Sequence, residues 1–188
     1  RDWSSDVCSS DLEIIDARAL NIALNRLCCK LIENHGDFSN SILIGMQPRG
    51  VQVLDRLVKL LESTYGVQGV RTGVLDITFF RDDFRRRPGH LQANKTRIDH
   101  LVEDQKVVFI DDVLYTGRSI RAAMDAILSY GRPAKMELLT LIDRRFSRDL
   151  PIQPDYKGRQ VDSIASQRVE VLWEEVDGRD AVLLTDPE

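Results

Sequence analysis

The feature that most constrains this chain is a course it runs twice: a short apolar strand, a glycine-containing turn, then an amphipathic helix. Ser41-Ile42-Leu43-Ile44-Gly45 is the first strand and Met46-Gln47-Pro48-Arg49-Gly50 the turn; Val51, Leu54, Leu57, Val58 and Leu61 then fall at helical steps. Lys106 to Asp112 repeats the strand, and Val113 to Ser119 the turn. Ile120, Ala123, Met124 and Ile127 repeat the helix face, which Gly131-Arg132-Pro133 closes. Strands joined through helices are parallel, so the pattern predicts an α/β fold around a parallel sheet with right-handed crossovers.

The remaining segments extend this reading. Leu20, Leu24, Leu27 and Leu31 predict a helix from Glu13 to about His35, with Asp16 as candidate N-cap and Gly36 as stop. Val70 to Phe80 reads as a strand that dissolves at Arg81 into a basic, Pro/Gly-containing stretch reaching Arg97, expected to be a mobile loop. Met136 to Ile142 reads as a further strand. Irregular, proline-rich chain follows Asp143, and Val169–Trp173 and Ala181–Leu184 are expected as short terminal strands.

Composition narrows the class. Of 188 residues, 43% are hydrophobic and 30% charged, too apolar for disorder and too charged for a membrane-embedded chain. The apolar runs fall far short of the roughly 20 residues of a membrane span. The formal net charge of −4 provides no global field for nucleic acid or anionic lipid, so any basic site must be local. Cys8, Cys28 and Cys29 form no disulfide framework, which predicts a reducing, cytoplasmic setting. Cys28, Cys29, His35, His90 and His100 show no metal-ligand spacing. Residues 1–12 lack an initiator Met, periodicity and a secretory apolar region; they are read as a non-native segment, with a single domain expected over 13–188.

Chemistry in an open parallel sheet gathers beyond the carboxyl ends of the strands. There this chain places Asp111 and Asp112, then Val113-Leu114-Tyr115-Thr116-Gly117-Arg118-Ser119 at a helix start. Neighbouring carboxylates can accept hydrogen bonds from the vicinal hydroxyls of a ribose. A loop with Thr116, Gly117 and Ser119 before a helix offers hydroxyls and free amides to a phosphate. One segment therefore matches the sugar and phosphate of a 5-phosphoribosyl group. Neither Gly-x-x-x-x-Gly-Lys-Ser/Thr nor Gly-x-Gly-x-x-Gly occurs, which removes the NTPase loop and the dinucleotide fingerprint.

Asp111 to Ser119 resembles the phosphoribosyl diphosphate signature of type I phosphoribosyltransferases. Asp-Asp-Val-Leu-Tyr-Thr-Gly-Arg, with Asp76-Ile77-Thr78-Phe79-Phe80-Arg81-Asp82-Asp83 upstream and Gly131-Arg132-Pro133 downstream, resembles the PyrR family of pyrimidine operon regulators and uracil phosphoribosyltransferases. The likeness extends from about Glu13 to Leu184. It implies a twisted, mainly parallel central sheet flanked by helices, with a small hood at about 143–168 and a flexible β-loop. It also implies a cytoplasmic enzyme converting uracil and 5-phosphoribosyl diphosphate to UMP and diphosphate. The alternative is a purine or orotate phosphoribosyltransferase without an RNA-binding role.

The resemblance assigns roles to residues. Asp111, Asp112 and Arg81 are the expected catalytic group, Arg81 lying in the loop that closes over the diphosphate beside Asp82 and Asp83. Pro48, Arg49 and Gly50 match the diphosphate loop; glycine allows close backbone approach and arginine supplies planar donors. Relatives often carry Thr where this chain has Pro48. Val113 to Ser119 would bind the sugar phosphate, and Arg144 and Val161 the base. Mg2+ is expected to be held through the substrate's own oxygens, with Asp111 or Asp112 as the candidate side chains.

Partners beyond substrate follow from the resemblance and from local charge. UMP or UTP is the expected effector, pyrimidine-operon leader RNA the expected regulatory partner, and a homo-oligomer, dimer or larger, the expected assembly. Segment 81–97 has six basic residues against two acidic, and segment 143–159 five against three; both could hold an RNA backbone, and diphosphate binding explains the first equally well. Glu170 to Glu188, with seven acidic residues and one basic, would repel it.

Overall fold

A computed structural model describes residues 11–80, 95–164 and 166–186. In chain order the elements are β1 (Leu12–Ile15), α1 (Ala17–His35), β2 (Ser41–Met46), α2 (Gly50–Ser63) and β3 (Arg71–Leu75). A 3-10 turn (Thr78–Phe80), β4 (Lys106–Leu114), α3 (Arg118–Ile127), β5 (Lys135–Arg145) and β6 (Tyr156–Asp162) follow. β7 (Arg168–Leu172), α4 (Glu174–Asp177) and β8 (Ala181–Thr185) complete the order.

The central sheet has the strand order β3-β2-β4-β5-β6, with every pairing parallel. Its inner strands β2, β4 and β5 carry continuous apolar runs because both faces are covered. Leu43, Val108, Ile110, Leu139 and Leu141 join Leu24, Leu27, Leu31, Leu54 and Leu57 of α1 and α2 in one core. Ile42, Ile44, Val107, Phe109 and Leu138 join Ile120, Ala123 and Ile127 of α3 in the other. Alternate residues of one strand thus supply two cores, the period-2 consequence of the pleat.

A separate three-stranded antiparallel sheet, β1-β8-β7, shares the first core through Ile15, Val171, Trp173 and Val182. The expected hood at about 143–168 is built differently. Asp143 to Arg145 end β5, and Tyr156 to Asp162 form β6, an edge strand of the central sheet. Short range patterning hides β6, since its sequence is largely polar and five of its seven residues are not buried.

The amino-terminal boundary also moves. The predicted helix from Glu13 begins at Ala17, because Leu12 to Ile15 pair with β8 instead, Leu12 opposite Leu184 and Ile15 opposite Val182. Leu12, grouped by sequence with the non-native segment, is therefore a strand residue. Asp16 is the N-cap, its carboxylate accepting the Ala19 N–H at 2.7 Å. The predicted strand to Phe80 stops at Leu75, where the Asp76 carboxylate accepts the Thr78 amide at 2.9 Å and hydroxyl at 2.6 Å and turns the chain. Arg81, Asp82 and Asp83, and the expected flexible loop around them, lie outside the described residues, as do residues 1–10.

Candidate active site

The register of β4 opens the site. Its partner β2 keeps pace only as far as Gly45 opposite Ile110, whereas β5 continues, with Asp111 opposite Thr140 and Leu114 opposite Asp143. Asp111 and Asp112 therefore sit on a strand tip paired on one side. The amino end of α2 fills the other side. A Cβ added at Gly50 would lie 2.2 Å from the Ile110 carbonyl oxygen and 3.1 Å from the Asp111 Cα, so only glycine lets the 47–50 turn approach. The Gln47–Pro48 bond in that turn is cis.

Both acids are half-buried, and each carboxylate accepts the amide that follows it: Asp112 N–H to Asp111 at 3.0 Å, Val113 N–H to Asp112 at 2.7 Å. These bonds fix the carboxylates at the tip. Burial pushes the Asp112 carboxyl above its ordinary range, opposed by the Val113 amide, Asp111 and the Arg49 guanidinium. Arg49 therefore lies within electrostatic range of the acid pair. The Arg49 Nη1 also donates to the Val171 carbonyl at 3.1 Å and lies 3.5 Å from Asp177, and its Nη2 lies 3.5 Å from Glu170. Arg49 is thus tied to the small sheet through half-exposed ion pairs worth about 1 kcal/mol or less.

Beyond Leu114 the chain turns at Thr116 and enters α3 through Gly117, which has φ 90° in the left-handed region. Among the described residues, the Thr116 and Gly117 amides donate to no backbone carbonyl. Carbonyls of the same turn are occupied. Arg148 donates to Leu114 O at 3.1 Å and to Tyr115 O, and the Asp149 and Leu150 amides donate to Thr116 O at 3.1 and 3.2 Å. Thr116 and Ser119 are half-buried and Arg118 is exposed, its Nε 3.0 Å from Asp149. The turn combines unengaged amides, hydroxyls and a helix amino end, the set that suits a phosphate.

The other predicted residues divide. Leu114 is buried in the core under α3 and Val113 packs against the opposite core, so each can offer only backbone to a ligand. Pro48 is exposed beside Arg49. Arg144 and Val161 are paired in register at the carboxyl ends of β5 and β6, but Arg144 is buried. Its guanidinium donates to Ser163 Oγ at 2.8 Å and Ile164 O at 3.1 Å and lies over the Tyr115 ring, 4.0 Å from the centroid. Burial lowers its pKa, with Tyr115 acting the other way. Arg144 therefore braces the turn at Tyr115. Sequence reasoning left Arg148 among the charges of a basic segment; its role rests on bonds to carbonyls more than thirty residues away, which no local pattern announces.

Known proteins match this architecture. The phosphoribosyl transferase domain family matches residues 11–174. The bifunctional protein PyrR of Microcystis aeruginosa is 43% identical over 173 residues, 92% of this chain and 96% of that protein. That of Desulfosudis oleivorans is 39% identical over 174 residues, covering 93% and 96%. Among solved structures, a Staphylococcus aureus hypoxanthine phosphoribosyltransferase superposes with TM-score 0.68 at 17% identity, covering 93% of this chain and 92% of that one. The Trypanosoma cruzi hypoxanthine phosphoribosyltransferase gives 0.68 at 14% identity, covering 94% and 97%. The structures share the fold with this chain, and the family match and the two sequence relatives settle the rest: the chain belongs to the phosphoribosyl transferase domain family, in its PyrR branch.

Proposed function

We propose that the chain transfers the 5-phosphoribosyl group of 5-phosphoribosyl diphosphate to uracil. The C1–O bond to diphosphate breaks, a bond from C1 to uracil N1 forms, and the N1 proton is released, giving UMP and diphosphate. The observation that carries this reading is the adjacency of the Asp111–Asp112 tip to a turn whose Thr116 and Gly117 amides bond to no backbone carbonyl among the described residues. Positive charge develops on the sugar as the C1–O bond loosens, as in glycosyl transfer generally. Asp111 and Asp112 are suited to accept the ribose hydroxyls and to face that charge, and Arg49 to neutralise the leaving diphosphate. Arg81, which the resemblance places in a closing loop, would add a second cation and exclude water.

Mg2+ fits this donor set. Two adjacent half-buried carboxylates beside an anion-binding turn offer hard oxygen ligands, while no cluster of three or more His, Cys, Asp or Glu among the described residues forms an all-protein cage. Asp111 and Asp112 would hold the ion together with substrate oxygens. The ion supplies charge neutralisation to the donor's diphosphate. Uracil, rather than a purine or orotate, is favoured by the kinship with the PyrR proteins. Incubating the protein with the donor, Mg2+ and each base separately tests this: UMP from uracil is expected, and turnover of hypoxanthine, guanine or orotate in its place overturns the base assignment.

A second role is supported by the surface beside the turn at Thr116. Arg145 and Lys157, together with the internally engaged Arg144 and Arg148, line a cavity of about 270 Å³ with Asp143, Gln153 and Gln160. Exposed Phe146 lies beneath the Arg145 guanidinium at 4.8 Å, an arrangement open to stacking by a base. We infer an RNA-binding regulator of pyrimidine-biosynthesis genes, responsive to UMP or UTP, acting in the cytoplasm as a homo-oligomer. No described helix is long and apolar enough to cross a membrane. Affinity for a pyrimidine-operon leader RNA should rise with UMP and fall log-linearly with salt. Equal binding to a scrambled RNA overturns the regulatory role.

A further inference from the structure

Three consecutive carbonyls of the phosphate turn are held by one short segment that follows β5. Arg148 donates to Leu114 O at 3.1 Å and to Tyr115 O, and the amides of Asp149 and Leu150 donate to Thr116 O. The same guanidinium donates to Arg144 O at 3.0 Å and Ile152 O at 3.1 Å and is paired with Asp143, a buried carboxylate that Gln160 also contacts at 3.0 Å. All five acceptors converge on one side chain. In a trans peptide the C=O and the next N–H point in opposite directions. Holding the Tyr115 and Thr116 carbonyls toward Arg148 and its neighbours therefore directs the Thr116 and Gly117 amides away from them. The turn's amide-out conformation is imposed from its carbonyl side.

We propose that Arg148 is the positioning residue of the 5-phosphate site, acting through the Leu114 and Tyr115 carbonyls without touching the ligand. This rests on the phosphoribosyl reading above and adds to it the residue that shapes the phosphate subsite. Arginine is required by geometry, since its planar fork satisfies several acceptors at once while lysine, a point donor, can keep the Asp143 pair but not the whole set. Diphosphate binding, which falls to the separate 47–50 turn, is outside its influence.

The test compares Arg148→Met and Arg148→Lys with the intact chain, using ribose 5-phosphate and inorganic diphosphate as calorimetric probes alongside kinetics. Arg148→Met should weaken ribose 5-phosphate about tenfold and raise the donor KM by a similar factor. Its kcat at saturating donor and its affinity for diphosphate should stay within about threefold. Arg148→Lys should fall between the two. Unchanged ribose 5-phosphate affinity, or equal losses for both probes, overturns the proposal; should the Met variant not fold, the Lys variant decides by the same criterion. Failure of the intact chain to make UMP while it still binds ribose 5-phosphate would remove the uracil reading and leave this inference standing. No binding of ribose 5-phosphate by the intact chain would overturn both.

Discussion

The two ends of the central sheet treat buried charge in opposite ways. At the amino end, Glu137 accepts from Tyr156 at 2.8 Å, lies 3.0 Å from His35 and pairs with Lys135 at 2.5 Å, while His35 Nδ1 meets Ser41 at 2.8 Å. The ring is held on both sides: Nε2 faces the Glu137 carboxylate and the Tyr156 hydroxyl, the latter at 3.1 Å, and Nδ1 faces the Ser41 hydroxyl. This network closes on itself. At the carboxyl end, Asp111 and Asp112 each accept the backbone amide that follows them, and Thr116 and Gly117 keep amides that bond to no described backbone carbonyl. Polar groups satisfied within the chain contribute stability; groups held in place but left open contribute recognition. The difference separates a structural end from a chemical end without reference to any ligand.

Substitutions should separate along the same line. Asp112→Asn should cut the transfer rate about 100-fold or more, the scale of losing one electrostatic partner of a reacting group, with little change in melting temperature. A steady-state assay with uracil reads it, and turnover near that of the intact chain would remove Asp112 from the chemistry. Glu137→Ala should do the reverse. Leaving His35, Tyr156 and Lys135 without their acceptor should cost about 3 kcal/mol in chemical denaturation, while ribose 5-phosphate affinity holds. Gly50→Ala touches both sides of the comparison, forcing the 47–50 turn off β4; a loss of about 2 kcal/mol with weakened diphosphate binding is expected.

Acid should act on the amino end first. Burial lowers the His35 pKa below 6.5, opposed by Glu137, with Lys106 and Lys135 reinforcing the decrease. The unfolded chain then takes up its proton before the folded one, so stability falls as pH drops through about 6.5. Glu137 is also lowered below 4.5: burial raises it, but Lys135, Tyr156 and His35 together outweigh that. Its contribution is present above its unfolded value and is lost as pH falls further. Denaturation midpoints from pH 7.5 to 4 should decline, and His35→Gln should flatten the upper part of that decline. The smallest effect belongs to Arg118→Gln, whose exposed pair with Asp149 is worth at most about 1 kcal/mol and should leave stability nearly unchanged.

What could be read from residues alone follows the range of the interactions involved. The strands Ser41–Met46 and Lys106–Leu114, the helices after them and the acid pair rest on local apolar spacing and turn chemistry, which a sequence displays. β1 and β6 do not. Leu12 to Ile15 are extended because β8 lies beside them, and the polar Tyr156 to Asp162 because an edge of β5 is open to them. The same holds within the site. Asp111, Asp112 and Gly117 carry a local signature, whereas Arg148 acts only after β4 and β5 have been brought together. That Arg144, expected at the base, braces Tyr115 is likewise hidden from local pattern, since its burial and its partners Ser163 and Ile164 are tertiary facts.

The contact at Gly50 carries one more consequence. The separation between the 47–50 turn and the tip of β4 is set by the absence of a side chain, so under the proposed function the smallest addition at that position would alter the span a substrate must bridge. A phosphorylated sugar whose two charged groups are spaced differently would meet the same donors out of step. On the proposed reading, ligand length is gauged by a backbone contact too close to admit a single methyl group.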